Sequence, residues 1–347
     1  MNENIRFFKL VRDFLIVFLP TQRAVSPNTI KSYRETLNLL LNYLCERNGI
    51  SLKKLSFENF SREAVEGFLE YLEKERQCGV STRNQRLACI RSFFRYAGAR
   101  DVGVQVYANE LSGIPLKKKT MNTPLSYFSE TALKTIFKQP DARKKKGLRN
   151  LFFMILMYDS GGRNQELLDL RLQDLHFEGT LPYMVITGKG RKTRLVPIMS
   201  ETVEHFKKYA AAFHPEPVPD DLLFYTERNK KRYAMSPDAT ERFIRKYAGT
   251  AHRVNPEVPL SLHPHMFRHS RSMHLYHCGL PLVLLAEWLG HAQMTTTLIY
   301  ANADTEMKRE AIEKATSHLS PLLSGETAYL AWEDDEATIR RLYGLSQ

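Results

Sequence analysis

Between His263 and Tyr300 the chain gathers His265, Arg268, His291 and Tyr300, side chains that together could bind a phosphate and attack it. In His265-Met-Phe-Arg268 the imidazole and the guanidinium stand at i and i+3, which a helix presents on one face. The apolar spacing of Leu285, Trp288 and Leu289 after Pro281 predicts a further helix, with Gly290 placed to end it in a left-handed conformation and His291 just past the stop. The segment Thr295-Thr-Thr-Leu-Ile-Tyr300 then offers a hydroxyl nucleophile one element further on.

Two upstream stretches add cations. Gly161-Gly162-Arg163-Asn-Gln-Glu166 predicts a sharp turn and a new helix, with Glu166 three residues beyond Arg163 and able to hold its guanidinium; an ordinary ion pair at a helix start would look the same. Tyr183 to Thr187 and Thr193 to Pro197 flank Gly188-Lys189-Gly190-Arg191-Lys192, a pattern that predicts a β-hairpin displaying Lys189 at a basic tip. No Ser or Thr follows that lysine and no helix begins there, so a nucleotide phosphate loop is the poorer reading. His263, His265, His269, His274, His277 and His291 are dense, but no Asp, Glu or Cys joins them at a recognised ligand spacing, and no metal is expected. Tyr276 rivals Tyr300 as nucleophile on position alone; in the helix continuing from Arg268 an aromatic reads as core, and His269 and His274 read as structural.

These groups need a scaffold. With 347 residues and a formal charge of +12, the chain is long enough for two cores and suits an acidic polymer, with interleaved arginines and aromatics favouring nucleic acid over a membrane surface. Cys45, Cys78, Cys89 and Cys278 lack disulfide or metal spacing and read as reduced thiols of a cytosolic protein. The apolar stretch from Phe7 to Leu19 is broken by Lys9, Arg12 and Asp13 and is neither a signal peptide nor a membrane span.

The first hundred residues predict helices. Ser26-Pro27 opens one on Ile30, Tyr33, Leu37, Leu40, Leu41 and Leu44, with Lys31 and Arg34 off the stripe. Ser61 opens a second on Val65, Phe68, Leu69 and Leu72, and Ser81 a third on Leu87, Ile90, Phe94 and Ala97. The third carries Arg83, Arg86, Arg91 and Arg95 as a DNA-contact candidate, against the plainer reading of a solvated helix face. Residues 103–124, with Gly103, Gly113, Pro115 and Lys117-Lys118-Lys119, read as a basic linker able to follow a phosphate backbone. Helices resume at Ser129 and through the buried run Leu148 to Tyr158.

In this order the motifs resemble those of the tyrosine recombinases of the phage-integrase family: a helical N-terminal domain, Gly-Gly-Arg163-x-x-Glu166-Leu, Gly-Lys189-Gly-x-Lys-x-Arg-x-x-Pro, Pro-His265-x-x-Arg268-His, Leu-Gly290-His291 and then Tyr300. Gly162 stands where Leu is common and Asn164 where a hydrophobic or small residue is usual. The resemblance implies a mainly α fold with a small antiparallel β-sheet (α+β). A core-binding, SAM-like domain at 1–102, the linker at 103–124 and a catalytic domain at 125–320 would close as a C-shaped clamp on DNA.

A phosphodiester attacked in line becomes doubly anionic, so an enzyme using no metal needs fixed cations about the non-bridging oxygens; Arg163 and Arg268, with their bidentate forks, fit that need. The resemblance makes Tyr300 the nucleophile of a covalent 3′-phosphotyrosine, Lys189 the proton donor to the leaving hydroxyl, His265 an aid to proton transfer at the tyrosine and His291 a phosphate ligand, with Glu166 in support. Lys31, Arg34, Arg83, Arg86, Arg91, Arg95, Lys117, Lys118, Lys119, Arg191 and Lys192 are the expected DNA contacts. No cofactor is expected. The partners implied are double-stranded DNA with a specific recombination site and further copies of the chain. The tail, 321–347, with Tyr329, Leu330, Trp332, Ile339, Leu342 and Tyr343, would dock on a neighbouring protomer in dimers and tetramers, the alternative being a tail folded on its own domain.

The expected setting is mobile-element integration or excision in the bacterial cytosol. Resolution of chromosome or plasmid dimers, relaxation of the type IB topoisomerase kind and non-catalytic DNA binding stand as alternatives.

Overall fold

A computed structural model describes residues 3–118, 127–188, 192–229, 231–291, 293, 296–303 and 309. Lys119, Lys189, Arg191 and the tail 321–347 lie outside the described residues. The chain divides into two compact units, Met1–Asn122 and Thr123–Gln347.

The first unit is helical. α1 (Glu3–Asp13) runs into a π-helical stretch, Phe14–Gln22, and the apolar segment noted above proves to be core, with Phe7, Phe14 and Leu19 buried. α2 (Pro27–Asn48) starts as its sequence predicts: the Ser26 hydroxyl accepts from the Thr29 N–H at 3.3 Å, proline fills the first turn, and Gly49 stops the helix at φ 63°. α3 (Arg62–Lys74) is capped by Ser61 and buries Val65, Phe68, Leu69 and Leu72. α4 (Val80–Gly98) begins two residues earlier than expected, on Gly79 without a side-chain cap, so Ser81 is not its cap. Phe7 stacks on Phe60 at 5.0 Å and meets Phe57 and Phe93 edge-on at 5.1 and 5.9 Å. Each such ring contributes roughly 1.5–3 kcal/mol through burial.

The expected linker does not begin at 103. A 3₁₀ turn, Val102–Val104, leads into α5 (Gln105–Ser112), and Val104, Leu111 and Ile114 are buried in the same core. Gly103 and Gly113 broke the periodicity in the sequence, but they flank a short helix. α4 holds the chain that follows α5. Arg83 is 5% exposed and donates to the Pro115 carbonyl at 2.9 Å, Asn84 brackets the Lys117 backbone from both sides, and Arg91 donates to the carbonyls of Leu111 (2.9 Å), Ser112 (2.8 Å) and Ile114. The expectation that Arg83 and Arg91 face DNA is therefore corrected: both guanidiniums are engaged by carbonyl oxygens of their own unit. Arg86 reaches the buried Thr36 hydroxyl at 3.2 Å, whereas Arg34 and Arg95 are exposed. Lys31 pairs loosely with Glu35 at 3.9 Å and Lys117 with Glu73 at 2.7 Å.

The second unit is built on α7 (Lys145–Ser160), which buries Phe152, Phe153, Met154, Leu156 and Met157 as the apolar run predicts. α6 (Glu130–Phe137), capped by Ser129, precedes it; the one-and-a-half-turn α8 (Asn164–Leu168) follows. An antiparallel sheet of β1 (Leu175–His176), β2 (Tyr183–Thr187) and β3 (Thr193–Pro197) comes next, with Val185 opposite Leu195 and Thr187 opposite Thr193. Beyond α9 (Ser200–Phe213), β4 (Tyr225–Arg228) and β5 (Lys231–Ala234) form a second hairpin that the sequence reading lacks. α10 (Pro237–Val254), α11 (Pro264–His277), α12 (Leu282–Leu289) and α13 (Leu298–Ala303) complete a mainly helical fold with small antiparallel sheets. No described helix is long and apolar enough to cross a membrane.

Candidate active site

The site starts where α7 stops. Gly161 takes φ 56°, and a Cβ there would lie 2.4 Å from the Trp288 indole, so the position requires glycine both for its backbone and for the ring pressed on it. The turn sets Arg163 as N-cap of α8. Glu166, 8% exposed, reaches back to accept from the Arg163 N–H at 3.0 Å and from its guanidinium at 2.7 Å. The same carboxylate takes a second guanidinium from β3, with Arg194 Nη2 at 2.7 Å, while Arg194 Nε donates to the Trp288 carbonyl at 3.1 Å. Burial alone would raise the Glu166 pKa; hydrogen bonds from Arg194 and Arg163 outweigh it and hold the group below its ordinary value.

Arg268 on α11 is 1% exposed. Its Nη1 donates to the Gly161 carbonyl at 2.6 Å and its Nη2 to the Leu289 carbonyl at 2.7 Å, which ties the turn after α7 to the end of α12. Desolvation first, and then the charge of Arg163, bring its pKa down to about 10. At the end of α12, Gly290 takes φ 63° as expected and releases His291, whose Nδ1 lies 2.8 Å from the hydroxyl of the buried Thr297. Desolvation and the charges of Arg268 and Arg163 lower His291 to about 4.

Arg163, Lys192, Arg194, Trp288 and His291 line one cleft of about 770 Å³, and Tyr300 is not among its lining residues. Tyr300, 1% exposed, packs with Met273, Leu285 and Leu289. Its hydroxyl is 3.1 Å from Nδ1 of His269, the residue read above as structural; burial raises its pKa, while Ser272, Arg268 and Arg163 act in the opposite direction. His265 stands one helical turn before His269, the rings meeting edge to face with centroids 4.4 Å apart. His265 is open to solvent on one side; desolvation of the other, with the charges of Arg268, His263 and Arg163, lowers it to about 4. His274 is structural as expected, using Nδ1 on the Tyr158 hydroxyl at 2.8 Å and Nε2 on the Phe128 carbonyl at 2.9 Å. Tyr276 packs on the apolar cluster around Tyr300. Among the described residues no group of three or more His, Cys, Asp and Glu side chains is placed to hold a metal ion.

Sequence reasoning missed Arg194 and His269, though each had a signal. Arg194 is two residues from the buried Val196 on β3, hence on the inward face of the strand, and His269 is four residues from His265 on the same face of α11.

The chain is similar to known proteins over most of its length. The phage integrase family profile matches residues 126–307, and the profile of the phage integrase N-terminal SAM-like domain matches residues 13–101. The tyrosine recombinase XerA of Thermococcus onnurineus is 30% identical over 292 residues, covering 84% of this chain and 90% of that protein. XerA of Pyrococcus horikoshii is 30% identical over 266 residues, covering 76% of this chain and 84% of that one. In fold, the chain is similar to the XerH site-specific recombinase bound to palindromic difH substrate in a post-cleavage complex (TM-score 0.65, 21% identity, 90% of this chain and 89% of that one). It is likewise similar to the Tn1549 transposon integrase in complex with transposon right end DNA (TM-score 0.67, 16% identity, 91% and 100%). The chain belongs to the phage integrase family and is a tyrosine site-specific recombinase.

Proposed function

We propose that this protein cuts and rejoins duplex DNA at a specific recombination site through a covalent 3′-phosphotyrosine formed by Tyr300. The observation that carries the reading is an unbalanced charge. Arg163, Arg194 and Arg268 lie in one electrostatic cluster whose carboxylate is Glu166, and the neighbouring histidines are pushed toward neutrality. A desolvated cation without a counter-ion is costly, and a phosphate would supply the missing negative charge.

In the mechanism this supports, Arg163 and Arg268 hold the non-bridging oxygens of the scissile phosphate. Arg268 has five N–H donors, and the Gly161 and Leu289 carbonyls each occupy one of them. His291, oriented by Thr297, adds a hydrogen bond, and Glu166 with Arg194 fixes the position of Arg163. Family resemblance assigns Lys189 to protonate the leaving 5′-oxygen, which becomes the free hydroxyl, and His265 to assist at the tyrosine. The phosphotyrosine keeps the energy of the broken bond, so rejoining needs no ATP. Mobile-element integration or excision is the setting we favour.

The test uses a nicked duplex carrying the sequence that Tyr300→Phe protein selects from a random library. The parent chain should form a denaturant-resistant protein–DNA adduct in EDTA, and Tyr300→Phe should bind the duplex without forming it. An adduct from Tyr300→Phe would transfer suspicion to Tyr276, and adduct formation that depends on a divalent ion would remove the metal-free reading. We further infer assembly on DNA through residues 321–347, on the strength of Trp332 and Leu342 in a short apolar pattern. Truncation after Leu323 should leave binding of single protomers near normal and abolish the tetramer on DNA in sedimentation; an intact tetramer would contradict it.

A further inference from the structure

One contact at the site is unexplained by the roles assigned above. The imidazole touching the proposed nucleophile belongs to His269, and His265 meets Tyr300 only through it. We propose that His269 is the immediate proton acceptor of Tyr300, and that His265 acts one step further out, carrying that proton from His269 toward solvent. The inference rests on Tyr300 being the nucleophile.

The geometry supports this in three ways. First, the Tyr300 hydroxyl and His269 Nδ1 are 3.1 Å apart, within reach for direct transfer. A phenol is a far stronger acid than a neutral imidazole N–H, so the hydroxyl donates and His269 carries its own hydrogen on Nε2. Second, the His265 ring is seated edge to face against His269 at 4.4 Å and is itself open to solvent, so the pair spans the distance from a buried hydroxyl to the surface. Third, His265, Arg268, His269 and Ser272 all lie on α11. Phosphate clamp and proton acceptor therefore share one helix.

The groups facing His269 are His265, Arg268, His263 and His291, all of which lower its affinity for a proton after desolvation has done so, to about 4, together with the neutral Tyr300 hydroxyl. His269 is accordingly an empty acceptor at neutral pH. In the step itself, the Tyr300 Oη–phosphorus bond forms as the bond from phosphorus to the 5′-oxygen breaks, and the phenolic proton passes to His269 Nδ1. The Nε2 proton then leaves by His265 or water, and the 5′-oxygen takes its proton from a separate donor. The reverse sequence returns the proton to Tyr300 on rejoining. The negative charge gathering on the phosphate in the transition state raises the basicity of His269 at the moment it is needed.

The test measures adduct formation on the selected nicked duplex with His269→Gln and His269→Ala, beside His265→Gln. It repeats the measurement on the same duplex with sulfur replacing the bridging 5′-oxygen, a leaving group that needs no protonation. His269→Gln should bind the duplex normally and slow adduct formation about a hundredfold. Sulfur substitution should not rescue it, and the parent rate should stay flat from about pH 8 to pH 6. Adduct formation by His269→Gln at or above the parent rate would overturn the proposal and make the contact a resting latch; so would full rescue by sulfur, which would place the defect at the leaving group. If His269→Ala does not fold, His269→Gln decides. Tyr300→Phe separates the two levels. An adduct from that variant removes the nucleophile assignment itself, whereas an inactive Tyr300→Phe beside a fully active His269→Gln removes only the proton acceptor.

Discussion

Two regions of this molecule are rich in arginine and treat it differently. On α4, Arg83 and Arg91 turn inward and donate to carbonyl oxygens of the chain after α5, closing the N-terminal unit on itself. Around the candidate site, Arg163 and Arg194 converge on the Glu166 carboxylate, and Arg268 is buried on two carbonyls. Arg91 and Arg268 thus make the same kind of bond, yet Arg91 remains partly exposed, where water moderates its charge, while Arg268 has almost no water. Carbonyl dipoles satisfy N–H groups without cancelling the charge, so a buried arginine held by carbonyls leaves a positive potential for an anion to meet. An arginine in a sequence pattern is therefore a tether or a site according to its desolvation and the charge of its partners.

The largest effect should follow from disturbing the fork geometry at the site. Arg163→Lys keeps the charge but loses the bidentate geometry, and adduct formation should fall by roughly a hundredfold to a thousandfold while the fold is retained. A tenfold or smaller loss, measured in a single turnover on the nicked duplex, would mean that charge alone suffices. A smaller effect separates the two classes within α4. Arg91→Ala should lower urea unfolding stability by about 1–3 kcal/mol and leave cleavage per bound protomer unchanged. Arg95→Ala, on an exposed residue, should leave stability within about 0.5 kcal/mol and reduce the slope of log affinity against log salt by about 0.9. Exchange of these two phenotypes would reverse the assignment of tether and contact.

What the sequence made legible was local. The Ser26 and Ser61 caps, the α3 stripe, the left-handed Gly290, the pairing of β2 with β3 and the Arg163–Glu166 pair depend on neighbours within a few residues, and the structure has them. What stayed hidden was set by distant partners. The bond from Arg83 to Pro115 and the bond from Arg194 to Glu166 join residues 32 and 28 positions apart, and Tyr300 meets His269 across 31. α5 escaped because its flanking glycines looked like a break, and the β4–β5 hairpin because nearly all of its residues are exposed and carry no apolar alternation. For the site, family order located Arg163, Glu166, Arg268, His291 and Tyr300. Only the folded contacts distinguish the histidine beside Tyr300 from the one a turn away.

The central claim, that the desolvated guanidinium of Arg268 is there to neutralise a scissile phosphate, can be tested by removing the charge from the other side. The measurement is adduct formation by Arg268→Ala on two nicked duplexes, one with the natural phosphate and one with a neutral methylphosphonate at the cleavage position. The account predicts that Arg268→Ala is inactive on the phosphate and regains cleavage on the methylphosphonate, where no anionic oxygen needs that guanidinium. Equal inactivity on both duplexes, with the variant folded and bound to DNA, would contradict it and leave Arg268 as a tether between Gly161 and Leu289.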